Sequence, residues 1–180
     1  KSVKETIKTS ELRMKKNHSV EKIGGTSMSS YDDVLQNIWL RPETPADGSD
    51  KTIYERVFVV SAYSGMTNGL LEHKKSGEPG VYALFAEMDD NNRWQQKLYE
   101  VEAAMLAIND DMFGEHSLVR KRADQFISGR IKDVQQCLEH LASVCSFGHF
   151  QLDDHLHRVR EMLSALGEAH SAYNSVQLLQ

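Results

Sequence analysis

The chain has 180 residues and a mass of 20.4 kDa, with 40% apolar and 26% charged residues, which is enough for one domain with a hydrophobic core. No apolar run approaches the length needed to span a bilayer, and the polar N-terminus lacks the hydrophobic stretch of a secretory signal. Lys1, Lys4, Lys8, Arg13, Lys15 and Lys16 against Glu5 and Glu11 give residues 1–16 a net +4, leaving −9 for the remainder of a chain whose total is −5. That acidic body argues against broad nucleic-acid binding, which needs a basic surface to displace counterions. Residues 1–16 read as a flexible basic leader ahead of one domain over 17–180, with Met14 a candidate start.

In chain order, residues 18–23 read as a short strand that ends at Gly24-Gly25. Thr26 and Ser27 are N-cap types, and Met28, Tyr31, Leu35 and Ile38 follow at helical spacing. Residues 41–55 hold Pro42, Pro45 and Asp47-Gly48-Ser49-Asp50, a mobile surface loop. Val57-Phe58-Val59-Val60 has the continuous apolar character of a strand buried on both faces. Strand, helix, strand in this order predicts a right-handed βαβ unit with parallel strands, which binds ligands at their carboxyl ends. Gly24-Gly25 and Ser61-Ala62-Tyr63-Ser64-Gly65 would share that edge.

Beyond residue 81 three apolar stripes predict helices that pack into a core: Trp94, Leu98, Val101, Met105, Ile108, Met112; then Ile127, Ile131, Val134, Leu138, Leu141, Cys145; then Leu152, Leu156, Val159, Leu163, Leu166. Cys137 and Cys145 lack a CxxC spacing and read as buried thiols of a reducing cytoplasm. His155 and His157 are two apart and point to different faces of a helix, so Asp153 and Asp154 read as helix-start charges rather than metal ligands. No metal site is expected.

The first loop has the parts of an anion cradle. Two glycines permit close backbone approach, a helix start offers unpaired N–H groups, and Lys22 adds a mobile positive charge. By spacing alone the plain strand-to-helix turn is the favoured reading, and the pattern is not that of a P-loop. The hydroxyls of Ser61, Ser64 and Thr67 in the second loop fit turn and capping roles better than ligand contacts when read in isolation.

Val20-Glu21-Lys22-Ile23-Gly24-Gly25-Thr26-Ser27-Met28 resembles the Lys-Phe-Gly-Gly-Thr-Ser-Val motif that opens aspartate kinases, within the amino acid kinase fold. Val59-Val60-Ser61-Ala62-Tyr63-Ser64-Gly65-Met66-Thr67-Asn68 resembles the second family motif, Val-Val-Ser-Ala-x-x-Gly-x-Thr-Asn. Leu163 to Ala172 is similar to the Gly-Glu-x-x-Ser segment, and the wording of Leu71 to Gly80 resembles the subgroup associated with ectoine synthesis. The resemblance implies a three-layer α/β/α fold, of which this chain is the N-terminal part, with parallel strands and a large helical insert.

It also implies roles. Lys22, Gly24, Gly25 and Ser27 would contact the transferring phosphoryl group and the ATP phosphates, Lys22 being catalytic. Ser61 and Thr67 would lie near the aspartate substrate, and Glu168 would hold its α-ammonium group. Ile23 stands where the family has Phe, and Ala165-Leu166 departs from the more polar wording usual before Gly-Glu. The implied reaction is transfer of the ATP γ-phosphoryl group to the side-chain carboxylate of L-aspartate, with Mg²⁺, in a cytoplasmic homo-oligomer that binds neither nucleic acid nor membrane. The family's later Gly-Arg-Gly-Gly-Ser-Asp segment, its adenine and ribose contacts, and its ACT domains are not in this sequence. The chain reads as an incomplete, inactive piece, with Val176 and Leu179 of its last helix in need of a partner. Two alternatives stay open: another enzyme of this fold, of the acetylglutamate or carbamate kinase type, and a non-catalytic helical interaction protein with a vestigial loop.

Overall fold

The computed structural model describes residues 19–40, 56–87, 92–114, 117–148 and 150–180. The basic leader and the proline-containing loop at 41–55 lie outside the described residues. Strands β1 (Ser19–Ile23) and β2 (Arg56–Val60) pair in parallel, Ser19 opposite Arg56 and Ile23 opposite Val60. The ladder continues one step further, with the Ser61 N–H donating to the Ile23 carbonyl at 3.0 Å. This is the pairing the strand–helix–strand order predicts.

Between the strands run α1 (Gly25–Met28), α2 (Tyr31–Val34) and a π-helical turn over Leu35–Trp39. The expected helix is thus broken: Met28, Val34 and Trp39 are its fully buried positions, while Leu35 and Ile38 pack partly buried against the same cluster. The interruption at Ser29-Ser30 and the wider π turn both shift the helical phase. Thr26 and Ser27 do not cap α1 either. Gly24 does, in extended conformation, so both hydroxyl residues fall inside the first turn.

The sheet has two unequal faces. Residues paired in a parallel ladder project to the same side, so Val20, Lys22, Val57 and Val59 share one face and Glu21, Arg56, Phe58 and Val60 the other. The second face is covered. Phe58 meets Trp39 edge-on at 6.5 Å, and Arg56 forks onto Glu21 at 2.6 and 2.7 Å while its guanidinium lies 4.7 Å from the Phe58 ring centre. On the first face Val20, Val57 and Val59 remain 70%, 46% and 48% exposed. The expectation of a strand buried on both faces is therefore corrected, because no described element covers that side. For the same reason the third layer of an α/β/α sandwich is missing from the described residues, whose sheet contains β1 and β2 alone.

The rest is helical: α3 (Met66–Leu70), α4 (Val81–Ala86), α5 (Arg93–Phe113), α6 (Leu118–Ser146) and α7 (Asp153–Leu178). The three stripes form the main core, in which Leu98, Met105, Ile127, Leu138 and Leu163 are fully buried and Phe85 meets Trp94 edge-on at 5.5 Å. The Ser117 hydroxyl caps α6 by accepting the Arg120 N–H at 2.9 Å, and Asp153 and Asp154 occupy the first turn of α7 as expected. Cys137 is exposed and Cys145 partly so, which corrects their reading as buried thiols. Leu138 takes the core position beside Cys137, leaving the thiol on the outer face.

Two stripes change character along their length. After Met105 the next fully buried residue of α5 is Asn109, not Ile108. After Leu166 the buried line of α7 continues through Gly167, His170, Ser171, Asn174 and Ser175.

Candidate functional site

The first loop leaves β1 at Ile23 and enters α1 directly. The first hydrogen bond of that turn runs from the Met28 N–H to the Gly24 carbonyl at 2.9 Å, so the N–H groups of Gly25, Thr26 and Ser27 have no partner within it. Gly24, Thr26, Ser27 and Lys22 are exposed, and among the described residues no carboxylate pairs with Lys22. Their local chemistry is that of a small polar surface with an ammonium group beside free backbone donors.

The two glycines differ in what they do. A Cβ on Gly24 would meet nothing within 4 Å, whereas one on Gly25 would lie 2.6 Å from the Ala62 carbonyl oxygen. Gly25 is therefore the point at which the first loop presses on the second. Ser29 adds a polar stitch beside it, accepting the Ser64 N–H at 3.0 Å and donating to the Gly25 carbonyl at 3.3 Å. Gly65, with φ of 84°, turns the second loop into α3 in a left-handed conformation that suits glycine.

Helix α7 closes on the same residue from the other side. A Cβ on Gly167 would stand 2.8 Å from the Ala62 Cβ and 3.9 Å from the Met66 Cβ. Ala62 is thus held between Gly25 and Gly167, and the first loop, the second loop and the start of the Gly167-Glu168 segment meet there. Ser61 continues the β-ladder, Thr67 sits partly buried in the first turn of α3, and Glu168 follows Gly167 on α7. One carboxylate oxygen of Glu168, Oε2, is buried without a hydrogen-bond partner. Such groups are uncommon in folded proteins, and a water, an ion or a functional role accounts for most of them.

Directly behind Ala62 lies a buried polar cluster that spacing did not reveal. Tyr63 is 2% exposed, donates its hydroxyl hydrogen to the Met112 sulfur at 3.2 Å, and meets the His170 ring edge-on at 5.3 Å. Burial pushes the Tyr63 phenol up to about 12 and lowers the His170 imidazole to about 4. His170 Nε2 lies 2.7 Å from Asn109 Oδ1, which also accepts from the Asn174 amide at 2.8 Å, while the Asn109 amide donates to Asp124 at 2.9 Å. The residues missed by sequence reasoning are therefore Ser29, Tyr63, Asn109, His170 and Asn174. The polar interruption of two otherwise apolar stripes signalled Asn109, His170 and Asn174; nothing local signalled Ser29 or Tyr63.

The fold and these contacts define a βαβ unit whose two carboxyl-edge loops are locked against a helix carrying a glutamate, an arrangement suited to an anionic ligand on one side and a cationic group on the other. The chain is 52% identical over 164 residues, 91% of its length, to the aspartate kinase Ask_Ect of Stutzerimonas stutzeri (strain A1501). The resemblance to aspartate kinases carried by the three motifs therefore holds across nearly the whole chain. The chain spans about a third (33%) of the length of that relative. No family model matches the chain. No solved structure matches it either.

Proposed function

We propose that this chain forms the phosphate-facing loop and the amino-acid-binding helix of an aspartate kinase of the amino acid kinase fold, which transfers the γ-phosphoryl group of ATP to the side-chain carboxylate of L-aspartate. The observation that carries the reading is the convergence on Ala62: Gly25 from the first motif and Gly167 from the third both close on it, in a chain half identical to an aspartate kinase. The ectoine-associated subgroup is favoured by the wording of residues 71–80 and by the label Ask_Ect of the relative.

An aspartate side chain has an ordinary pKa of about 3.9, so the nucleophile is already ionised at neutral pH and no general base is needed. The difficulty is bringing one anion to another. In this reading Lys22 and the N–H groups of Gly25, Thr26 and Ser27 neutralise charge on the phosphoryl oxygens, and catalysis is positioning plus electrostatics. Ser61 and Thr67 face the reacting carboxylate. Glu168, with its unpartnered Oε2, takes the α-ammonium group, which would supply the missing donor. In this reading Mg²⁺ accompanies the nucleotide phosphates, and no residue of this chain is assigned to it.

The test is to incubate the gene's full product with ATP, Mg²⁺ and L-aspartate and to trap the acyl phosphate as its hydroxamate. Product that depends on aspartate and is absent with glutamate or carbamate supports the reading. A folded product that yields none with aspartate overturns it.

A further inference from the structure

The cluster behind Ala62 has a single consistent hydrogen-bonding assignment. The Asn109 amide nitrogen faces the Asp124 carboxylate, which can only accept, so the Asn109 Oδ1 must be the atom turned toward His170 and Asn174. That oxygen accepts twice. One hydrogen comes from the Asn174 amide and the other must come from His170 Nε2, which fixes the Nε2–H tautomer. The 3.2 Å approach of the Asn174 amide to His170 Nε2 is then a contact between two donors, not a bond. His170 Nδ1 is buried and has no acceptor, so a second proton there would be unpaired as well as desolvated. The groups facing the ring are Tyr63 from the second loop, Asn109 from α5, Asn174 from its own helix and, beyond Asn109, Asp124 from α6, while the Met112 sulfur lies against Tyr63 and Asn174. Arg120 pairs with that last carboxylate at 3.4 Å.

The cluster also sits where it can control geometry. Gly167, His170 and Asn174 lie three and four apart on one face of α7, and this face meets Ala62, the Tyr63 ring and α5. The apolar stripe of α7 is non-directional and tolerates small rotations, whereas hydrogen bonds onto one oxygen do not. At a helix's outer radius of roughly 5–6 Å, a rotation of about 20° moves a side-chain end by about 2 Å. Glu168, next to Gly167 on that helix, would move by that amount.

We propose that the Asn109–His170–Asn174 clasp makes His170 a positioning residue for the amino-acid end of the site, fixing the rotation of α7 that presents Glu168. The inference rests on the kinase reading and adds to it a residue that touches neither substrate nor nucleotide. It separates two effects. Loss of the clasp displaces the group that holds the amino acid and leaves Lys22 and the α1 donors, on the other side of Ala62, in place.

The experiment compares His170→Leu and His170→Gln in the gene's full product. Leucine keeps bulk but leaves Asn109 Oδ1 with one donor, while glutamine returns an N–H near the Nε2 position. H170L is expected to raise the KM for aspartate by about ten-fold or more, with the KM for ATP within about two-fold, and H170Q to recover most of the loss. A folded H170L with unchanged aspartate KM, or an H170Q as impaired as H170L, overturns the proposal. If H170L does not fold, Asn174→Ala removes the other donor and is expected to shift the same constant in the same direction; no shift overturns the proposal. Independently, the imidazole nitrogens of His170 read by NMR at pH 7 should show the neutral Nε2–H tautomer. An Nδ1–H tautomer or an imidazolium ion refutes the clasp. A wild-type product that makes no aspartyl hydroxamate overturns the kinase reading instead, and the imidazole signals then decide the clasp by themselves.

Discussion

Gly24 and Gly25 are adjacent and alike in sequence, yet an alanine at each has different consequences. At Gly25 a Cβ would stand 2.6 Å from the Ala62 carbonyl oxygen, an atom of the backbone that no rotamer change can move. Ordinary carbon–oxygen contact needs roughly 3.3 Å, so the loops must part by about 0.7 Å. Two bonds span that gap, Ser61 N–H to Ile23 carbonyl and Ser64 N–H to Ser29 hydroxyl, each at 3.0 Å. Both would stretch beyond useful hydrogen-bonding distance. Overpacking of this kind costs about 1–3 kcal/mol, and loss of the bonds places G25A near the upper end. At Gly24 the space is open and φ is −75°, so G24A should leave stability within about 0.5 kcal/mol. Its effect should appear in turnover, where a methyl group stands between the backbone and the phosphates. The assay is urea unfolding of the gene's full product followed by circular dichroism, beside the hydroxamate rate. G25A with the unfolding midpoint of G24A would refute the claim that Gly25 exists to let the two loops touch.

Three further outcomes follow from the same geometry. Lys22→Ala should lower turnover by about 100-fold or more, as the loss of one oxyanion donor does, with little change in the unfolding midpoint because the side chain is exposed; near-normal turnover removes Lys22 from the reaction. Glu168→Gln should raise the aspartate KM several-fold and leave the ATP KM alone, and an unchanged aspartate KM would count against its role with the ammonium group. Burial holds the folded His170 at about 4, below its ordinary value of 6.5, so between these pH values the unfolded chain binds the extra proton. Its contribution is therefore complete above pH 6.5 and falls away as pH drops toward 4, by up to about 3 kcal/mol. Urea midpoints at pH 7 and pH 5 should differ more for the wild type than for H170Q, and equal pH dependence would refute this.

How much of this was legible beforehand varies by element. The parallel pairing of β1 with β2 follows from order and composition, because a strand, a helical segment and an apolar strand admit few other arrangements. The core stripes of α5 to α7 were readable for the same reason: every third or fourth residue repeats, and periodicity is local information. The motifs likewise named Lys22, the glycines, Ser61, Thr67 and Glu168 before any coordinates. Local rules failed where a neighbour from far along the chain decides. Val57 and Val59 read as buried, but burial depends on whether something covers their face, and no described residue does. Thr26 and Ser27 read as caps, but Gly24 is the residue that turns the chain into α1.

The sequence by itself determined which chemistry is present: a lysine and glycines where a strand meets a helix, hydroxyls at the next strand end, and a glutamate on a later helix. Only the tertiary structure decided that the two loops and the later helix meet, and that they do so at Ala62, pinched between Gly25 and Gly167. It alone also decided that Asn109, His170 and Asn174, from helices far apart in sequence, share one buried oxygen. The physical reason is that steric closeness and hydrogen-bond pairing are properties of two surfaces at once. A sequence pattern describes each surface separately, and packing selects which atoms meet.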